Sequence, residues 1–122
     1  MDAKSLAAAV GIRLVCPGRP EDTQFFHIYA SDCMSDILNH VDDSTLLVTN
    51  LSNSALVRVI ELMDVPGICL LNSIEPEEKM VSAAAHHGAA LFVSPEGMFE
   101  TCGRLYKVCE HGNTPRDQQC SL

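Results

Sequence analysis

The sequence predicts an α/β protein with three layers, in which helices cover both faces of a mostly parallel sheet of about four to five strands. One reason is that short apolar runs alternate with amphipathic segments from Gln24 onward, as they do in β-α-β units. A second reason is the stretch 45–63, where a short apolar run leads through polar residues into a segment of helical periodicity. This stretch predicts a buried strand, a polar turn and a helix. The apolar stripe of that helix is Leu56, Val59, Ile60 and Met63.

The composition of the 122 residues bounds the class of protein. A hydrophobic fraction of 47% supports a real core, and this length suits one domain. A net charge of −8 disfavours binding to nucleic acid or to a membrane surface, since both depend on basic side chains. No signal peptide occurs, and no apolar run approaches the roughly 20 residues of a membrane span, so we expect a cytoplasmic protein. We predict one domain over residues 1–109 and a flexible C-terminal tail over residues 110–122.

The N-terminal part contains two predicted strands. A helix over residues 5–10 precedes a short strand over residues 12–15, which lies at an edge of the sheet or in a separate ribbon. The aromatic and β-branched run 24–30 predicts the next strand. It leads into a short helix, and we expect Asp32 to cap this helix by accepting a hydrogen bond from the amide of Ser35.

The middle of the chain contains the stretch 45–63 and the helix that follows the next strand. Ser52 is the expected N-cap of the first of these helices. Residues 68–71 predict a buried strand, and Pro76 is expected at the first position of a helix that ends at Gly88.

The last strand and helix follow directly. Residues 90–93 predict the strand, after which Ser94 is expected to cap a helix that begins at Pro95. The inner face of this helix is predicted to be Met98, Cys102, Leu105 and either Val108 or Cys109.

Polar turns, among them Asn72-Ser73, follow the predicted strands. The carboxyl ends of parallel strands meet at one rim of the sheet, where open α/β folds bind ligands. Because consecutive parallel strands are usually neighbours, we expect the strand ends at Tyr29 and Val48 to lie side by side, where successive crossovers diverge to opposite faces. Three turns are expected at the opposite rim, near Gly11, Asp42 and Gly88. The predicted ligand-binding residues are Ser31, Asp32, Thr49, Asn50, Ser52 and Asn53.

These polar residues also have a structural explanation. Helix caps alone account for Asp32 and Ser52, since one cap stabilises a helix by about 1 kcal/mol. Caps do not account for Thr49, Asn50 and Asn53 together, or for Asp32 beside Ser31, Ser35 and Asp36, so a ligand site and a set of caps both remain open. The amides at the starts of the Ser52 and Ser94 helices suit an anion, whereas the carboxylates of Asp32 and Asp36 favour a sugar hydroxyl or an amino group.

The chain lacks the motifs of common enzyme classes. It contains no Gly-x-x-x-x-Gly-Lys-Ser/Thr or Gly-x-Gly-x-x-Gly phosphate loop and no Gly-x-Ser-x-Gly elbow. We therefore predict no catalytic residues, no cofactor and no metal. The six cysteines include no Cys-x-x-Cys pair, which makes a metal or redox protein the least favoured alternative. Such a site would draw on Cys102, Cys109, His86, His87 and His111.

Four stretches resemble the DRTGG-type domain: residues 29–38, 47–53, 76–78 and 98–106. The most specific of them is Tyr-x-Ser-Asp-x-x-Ser-Asp, starting at Tyr29, although no Asp-Arg-Thr-Gly-Gly string occurs. The chain is similar in particular to small stand-alone members found beside iron-only hydrogenase and signalling genes, and the domain resembles the N-terminal domain of HPr kinase/phosphorylase. The resemblance implies a three-layer α/β fold and a regulatory or dimerising module. It does not imply a kinase, whose phosphate loop belongs to a different domain.

The residues and the resemblance together predict a non-catalytic regulatory or ligand-sensing module. We expect a homodimer that binds a nucleotide or another small polar metabolite at the carboxyl rim. The apolar residues Phe99, Leu105 and Tyr106 of the last helix suit a dimer interface, unless they pack on the N-terminal segment. The alternative is a pure protein-interaction or dimerisation subunit of a redox or signalling system, in which the polar rim consists only of caps.

Overall fold

The computed structural model describes residues 2–18 and 27–112. The last helix continues to Gly112, inside the predicted tail, and the rest of that tail lies outside the described residues, as do residues 24–26 of the second predicted strand. In chain order the elements are α1 (Ala3–Val10), β1 (Arg13–Pro17), β2 (His27–Ala30), α2 (Met34–His40), β3 (Thr45–Thr49), α3 (Asn53–Met63), β4 (Gly67–Leu70), α4 (Glu78–His87), β5 (Ala90–Val93) and α5 (Met98–Gly112).

The strands form one five-stranded sheet in the order β1-β5-β4-β3-β2. Strands β2, β3, β4 and β5 are parallel to one another. Strand β1 lies at one edge and runs antiparallel to β5. Helices lie on both faces, which confirms the predicted three-layer α/β/α fold with a mostly parallel sheet. Ala30 pairs with Val48, so the ends of β2 and β3 lie side by side, as predicted.

The two faces of the sheet carry different helices. Side chains alternate between the faces along a strand. In β3, Leu47 therefore packs with residues of α2, α3 and α4, whereas Leu46 and Val48 pack with α1 and α5. The connections through α2, α3 and α4 all lie on one face, and α5, after β5, crosses to the other. The prediction that crossovers diverge beyond β2 and β3 is therefore wrong, because they diverge beyond β4 and β5.

The core is built around β3, in which all five residues are buried. On one face, Leu105 of α5 is fully buried together with residues of α1. The prediction that Leu105 contributes to a dimer interface is therefore wrong, since its side chain is part of the core. Within the described parts of the chain, no helix is long and apolar enough to cross a membrane.

The capping of the early helices follows the prediction only in part. Ser52 caps α3, because its hydroxyl accepts a hydrogen bond from the amide of Ala55. Gly88 ends α4 in the left-handed conformation, as predicted. Asp32 does not cap α2, whose N-cap residue is Cys33 and makes no side-chain cap bond. The reason is that the carboxylate of Asp32 accepts hydrogen bonds from the loop after β3 instead.

The helices α4 and α5 begin later than predicted. Helix α4 begins at Glu78, so Pro76 lies before the helix and not at its first position. Helix α5 begins at Met98 rather than at Pro95. The physical reason is that Ser94 closes a separate turn, in which its hydroxyl accepts a hydrogen bond from the amide two residues later.

The antiparallel direction of β1 brings its first residues to the carboxyl rim. Gly11 ends α1 with a φ of 81° and precedes β1, and Arg13 pairs with Val93 at the end of β5. The prediction that Gly11 lies at the opposite rim is therefore wrong, because β1 runs antiparallel to β5. Asp42 and Gly88 precede β3 and β5, and they lie at the amino rim as predicted.

Candidate ligand site at the carboxyl rim

A chain of hydrogen bonds joins the four loops that follow the parallel strands. Asp32 Oδ1 accepts a hydrogen bond from the backbone amide of Asn50 at 2.6 Å, and Asn72 Nδ2 donates to Asn50 Oδ1 at 3.1 Å. The backbone amide of Asn72 donates to the carbonyl oxygen of Glu96 at 2.9 Å. Each link joins neighbouring loops, so the loops hold one another in place. We call these four residues the rim chain.

Three predicted site residues meet at one end of the rim chain. Asp32 Oδ1 also accepts a hydrogen bond from Thr49 Oγ1 at 3.3 Å, and Asn50 Nδ2 donates to Asp32 Oδ2 at 3.4 Å. The buried hydroxyl of Thr49 accepts a further bond from the amide of Leu51 at 3.1 Å. The structure thus brings Asp32, Thr49 and Asn50 together, and their mutual bonds use much of their hydrogen-bonding capacity.

The other three predicted residues bond elsewhere. The hydroxyl of Ser31 accepts a hydrogen bond from the amide of Cys33 at 3.0 Å, and Ser52 caps α3. Asn53 Oδ1 accepts a bond from the amide of Glu77 at 2.8 Å, which joins the starts of α3 and α4. Within residues 2–18 and 27–112, the Nδ2 group of Asn53 donates no hydrogen bond. Asn53 therefore keeps two donors for another molecule.

The loop after β4 has an unusual backbone. Asn72 and Ser73 both adopt the left-handed region, with φ values of 57° and 58°. Asparagine tolerates this region, whereas serine rarely adopts it. The loop after β5 stabilises the conformation, because the amide of Ser73 donates to the carbonyl oxygen of Ser94 at 2.8 Å. The loop is thus fixed at the place where the crossovers diverge.

A second polar cluster lies at the start of α5. The buried hydroxyls of Ser94 and Thr101 are 2.7 Å apart. Arg104 donates to Glu96 Oε2 at 2.9 Å and to the carbonyl oxygen of Val10 at 3.3 Å. These bonds hold α5 against the end of α1. The other carboxylate oxygen of Glu96 is buried and has no partner in the described part of the chain.

A cavity of about 350 Å³ opens at the rim beside β5 and the start of β1. It lies next to the loops after β4 and β5, which lead to helices on opposite faces of the sheet. Open α/β sheets bind ligands at such a point. Arg13 and Glu75 form an ion pair on its wall, with side chains 53% and 66% exposed. The sequence did not indicate this cavity, because it depends on the direction of β1. Its lining includes the polar residues Arg13, Ser73 and Glu75 and the apolar residues Ile12, Val93 and Pro95.

The described cysteines are free thiols in different surroundings. Burial raises the pKa of the Cys69 thiol to about 12. Cys33 is exposed, and a hydrogen bond from the Ser35 side chain lowers its pKa. No group of three His, Cys, Asp or Glu residues in the described ranges could hold a metal ion. The side chains of Cys109 and His111, considered for such a site, lie outside the description.

No protein-family model and no curated protein matches the chain. Its fold is similar to a solved structure of the CBS and DRTGG domains of the regulatory region of Clostridium perfringens pyrophosphatase, complexed with its activator diadenosine tetraphosphate. The TM-score is 0.66 at 7% sequence identity, over 85% of this chain. The chain spans 45% of the length of that structure. The likeness is one of fold, and it supports the predicted DRTGG-like fold.

Proposed function

We propose that this chain is a non-catalytic regulatory module that senses a nucleotide or another small polar metabolite at the carboxyl rim of its sheet. The observation that carries this proposal is the rim chain, which joins four loops into one connected polar surface. A ligand that prefers one conformation of a single loop therefore also favours the matching conformation of the neighbouring loops. The fold likeness supports the proposal, because that structure belongs to the regulatory region of a pyrophosphatase and was solved with its activator, diadenosine tetraphosphate.

The proposed contacts at the rim are hydrogen bonds. The Nδ2 group of Asn53 has donors to offer, and the carboxylate of Asp32 accepts from sugar hydroxyls or an amino group and repels a bare phosphate. Asn53 is the most informative residue to substitute. Its side-chain oxygen accepts a hydrogen bond from the amide of Glu77, whereas its side-chain nitrogen donates to no described residue. The proposed contact residues are Ser31, Asp32, Thr49, Asn50, Ser52 and Asn53.

Titration of the full chain with nucleotides, followed by thermal shift and calorimetry, tests this function. Asn53→Asp keeps an oxygen for the amide of Glu77 and removes both donors. For a ligand held at these predicted residues, it should weaken binding by about 1–3 kcal/mol, because a polar partner is left unpaired. Asn39→Asp makes the same change on the exposed surface of α2 and serves as the control. A wild-type chain that binds neither nucleotides nor other small polar metabolites would contradict the proposed function.

Absence of catalysis is a separate part of the proposal. It is supported by the likeness to a regulatory region and by the missing phosphate-loop motifs. We expect no hydrolysis of ATP and no phosphorylation of a carrier protein above background. Turnover that survives repurification and is lost in Asp32→Asn would overturn it.

We further propose a homodimer formed through α5. Phe99 is 86% exposed and Tyr106 is 48% exposed, and both lie on the same face of the helix with Gly103 between them. A Cβ atom at Gly103 would meet nothing within 4 Å, so a second helix can approach closely there. An antiparallel α5 of the partner, crossing at Gly103, brings Phe99 against Tyr106 of the partner subunit.

The second candidate function is a pure interaction subunit, and the exposure of Phe99 is the observation that favours it. This candidate predicts the same dimer without a ligand. The nucleotide titration therefore distinguishes the two functions, whereas the oligomeric state does not.

A further inference from the structure

We propose that the cavity beside β5 and β1 is the nucleotide pocket, with the phosphate on Arg13 and the sugar hydroxyls on Glu75. This inference rests on the proposed function for the class of ligand and differs from it in location. The ion pair of Arg13 and Glu75 supplies both kinds of contact. A guanidinium binds phosphate oxygens in pairs, and a carboxylate accepts from the vicinal hydroxyls of a ribose.

The ion pair is available to a ligand. Both side chains are more than half exposed, and an exposed ion pair contributes little to stability. A phosphate can therefore replace or share the carboxylate of Glu75 on Arg13 without unfolding the loop. Guanidinium has five donors, of which the carboxylate uses only part. A second guanidinium lies nearby, since a Cβ on Gly11 would be 3.3 Å from Arg104 Nη1.

Ser73 adds a third polar group that is already positioned. Its backbone is fixed in the left-handed region by the bond to the carbonyl oxygen of Ser94. Its hydroxyl makes no hydrogen bond to any other described residue, although it lines the cavity. It can therefore donate to a ligand oxygen at no cost in internal bonds.

The rest of the lining suits the apolar parts of a mononucleotide. Ile12 and Val93 are buried in the core, and Pro95 lies on the wall between β5 and α5. A pocket with apolar walls and a few convergent polar groups is typical of small-molecule sites. A volume of about 350 Å³ lies at the lower end of the usual range and fits one nucleotide rather than a dinucleotide.

The end of the rim near Asp32, where the sequence predicts the ligand, differs from the cavity in how far its polar groups are already hydrogen bonded. There, Asp32, Thr49 and Asn50 are hydrogen bonded to one another, and a ligand must break those bonds to enter. At the cavity, the hydroxyl of Ser73 and most donors of Arg13 are unused. With the ligand in the cavity, the rim chain only fixes the loops, and Asn53→Asp should leave the affinity for a nucleotide unchanged.

Calorimetric titration of the full chain with adenosine monophosphate, adenosine and inorganic phosphate tests this location. We expect Arg13→Gln to weaken the monophosphate about tenfold or more and to leave adenosine unchanged, because only a phosphate contact is lost. Glu75→Gln should weaken the binding of adenosine monophosphate and of adenosine about tenfold each. Ser73→Gly removes the hydroxyl, keeps the left-handed turn, and should weaken the monophosphate.

The control is Arg58→Gln, which makes the same charge change on the exposed surface of α3. If Arg58→Gln lost as much affinity as Arg13→Gln, the loss would be explained by the change in net charge. That result would overturn the proposed pocket. Unchanged affinity in Arg13→Gln, with reduced affinity in Asn53→Asp, would also overturn the pocket and leave the proposed function standing. A wild-type chain that binds no nucleotide overturns this inference together with the nucleotide part of that function.

Discussion

Asn72 reaches across the rim to Asn50, with its Nδ2 donating to the side-chain oxygen at 3.1 Å while its own backbone has a φ of 57°. Asparagine is one of the few residues that accept this backbone conformation, so one side chain provides both the turn and the link. The two contributions can be separated, because glycine favours the turn and has no amide.

Substitution of Asn72 separates these contributions. Asn72→Gly keeps the left-handed turn and loses the hydrogen bond, which we expect to cost about 1 kcal/mol. Asn72→Ala loses the bond and also strains the backbone, so it should be less stable than the glycine variant by about 1 kcal/mol. Urea unfolding of both variants measures the difference. Equal stabilities would show that the turn places no restriction on the residue.

The central strand gives the clearest stability prediction. Leu47 is fully buried among residues of α3 and α4, so Leu47→Ala should destabilise the fold by about 2–5 kcal/mol. Leu62 on α3 is 65% exposed, and Leu62→Ala should change stability by no more than about 0.5 kcal/mol. Thermal melting compares them directly. A Leu47→Ala chain that melts with the wild type would contradict the packing of β3.

The acid stability of the fold should depend on Asp42. Its carboxylate accepts hydrogen bonds from the amide and hydroxyl of Ser44 and from Thr45, and the amide of Ser44 is the main cause of its lowered pKa. A carboxyl with a lowered folded-state pKa stabilises the fold above its unfolded value and loses that contribution as pH falls through the folded value.

The unfolding free energy should therefore fall as the pH drops below 3.8, the ordinary pKa of an aspartate carboxyl, and Asp42→Asn should flatten this part of the profile. Asp43→Asn removes the same charge from the adjacent exposed residue and is the control. Urea unfolding at several pH values gives both profiles. Identical acid limbs in the two variants would argue against the bonds of Asp42.

The cysteines should react in a fixed order. Cys33 is exposed, and the Ser35 side chain lowers its thiol pKa, which favours the reactive thiolate. Cys69 is fully buried, with a thiol pKa of about 12. Iodoacetamide should modify Cys33 before Cys69 and leave Cys69 intact in the native protein, as peptide mapping would show. Ser35→Ala should slow the reaction at Cys33, and early modification of Cys69 would contradict its burial.

The dimer can be tested by charge exchange on α5. In the proposed antiparallel arrangement, Glu100 lies near Lys107 of the partner subunit. Glu100→Lys and Lys107→Glu should each weaken the dimer, and the double variant should restore it. Phe99→Asp should give monomers by light scattering, whereas Leu62→Asp, on the exposed side of α3, should not. A wild-type monomer at tens of micromolar would reject the dimer.

The sequence predicts local structure well where a single pattern controls it. The strand β3, the cap at Ser52 and the end of α4 at Gly88 all follow from periodicity and capping chemistry. Asp32 was predicted less well, because two backbone amides compete for its carboxylate. Sequence distance favours Ser35, but the pairing of β2 with β3 brings the amide of Asn50 to 2.6 Å.

The cavity could not be predicted for a related reason. Its residues come from β1, from the loop after β4 and from the loop after β5, which are distant in the sequence. They meet only because β1 is antiparallel and places Arg13 opposite Val93. No local pattern encodes the direction of a short edge strand, so Arg13 and Glu75 carried no signal.

Strand β1 precedes the other described strands in the chain, but it pairs with the last of them. During synthesis it therefore emerges long before β5, its partner, exists. Contacts that close so long a loop form slowly, whereas the parallel strands pair with neighbours nearer in sequence. A protein in which the parallel strands had paired but β1 had not would contain the four residues of the rim chain. It would lack the wall of the cavity that Arg13 forms. Competence to bind at that cavity therefore depends on the strand pairing that spans the largest sequence separation in the described sheet.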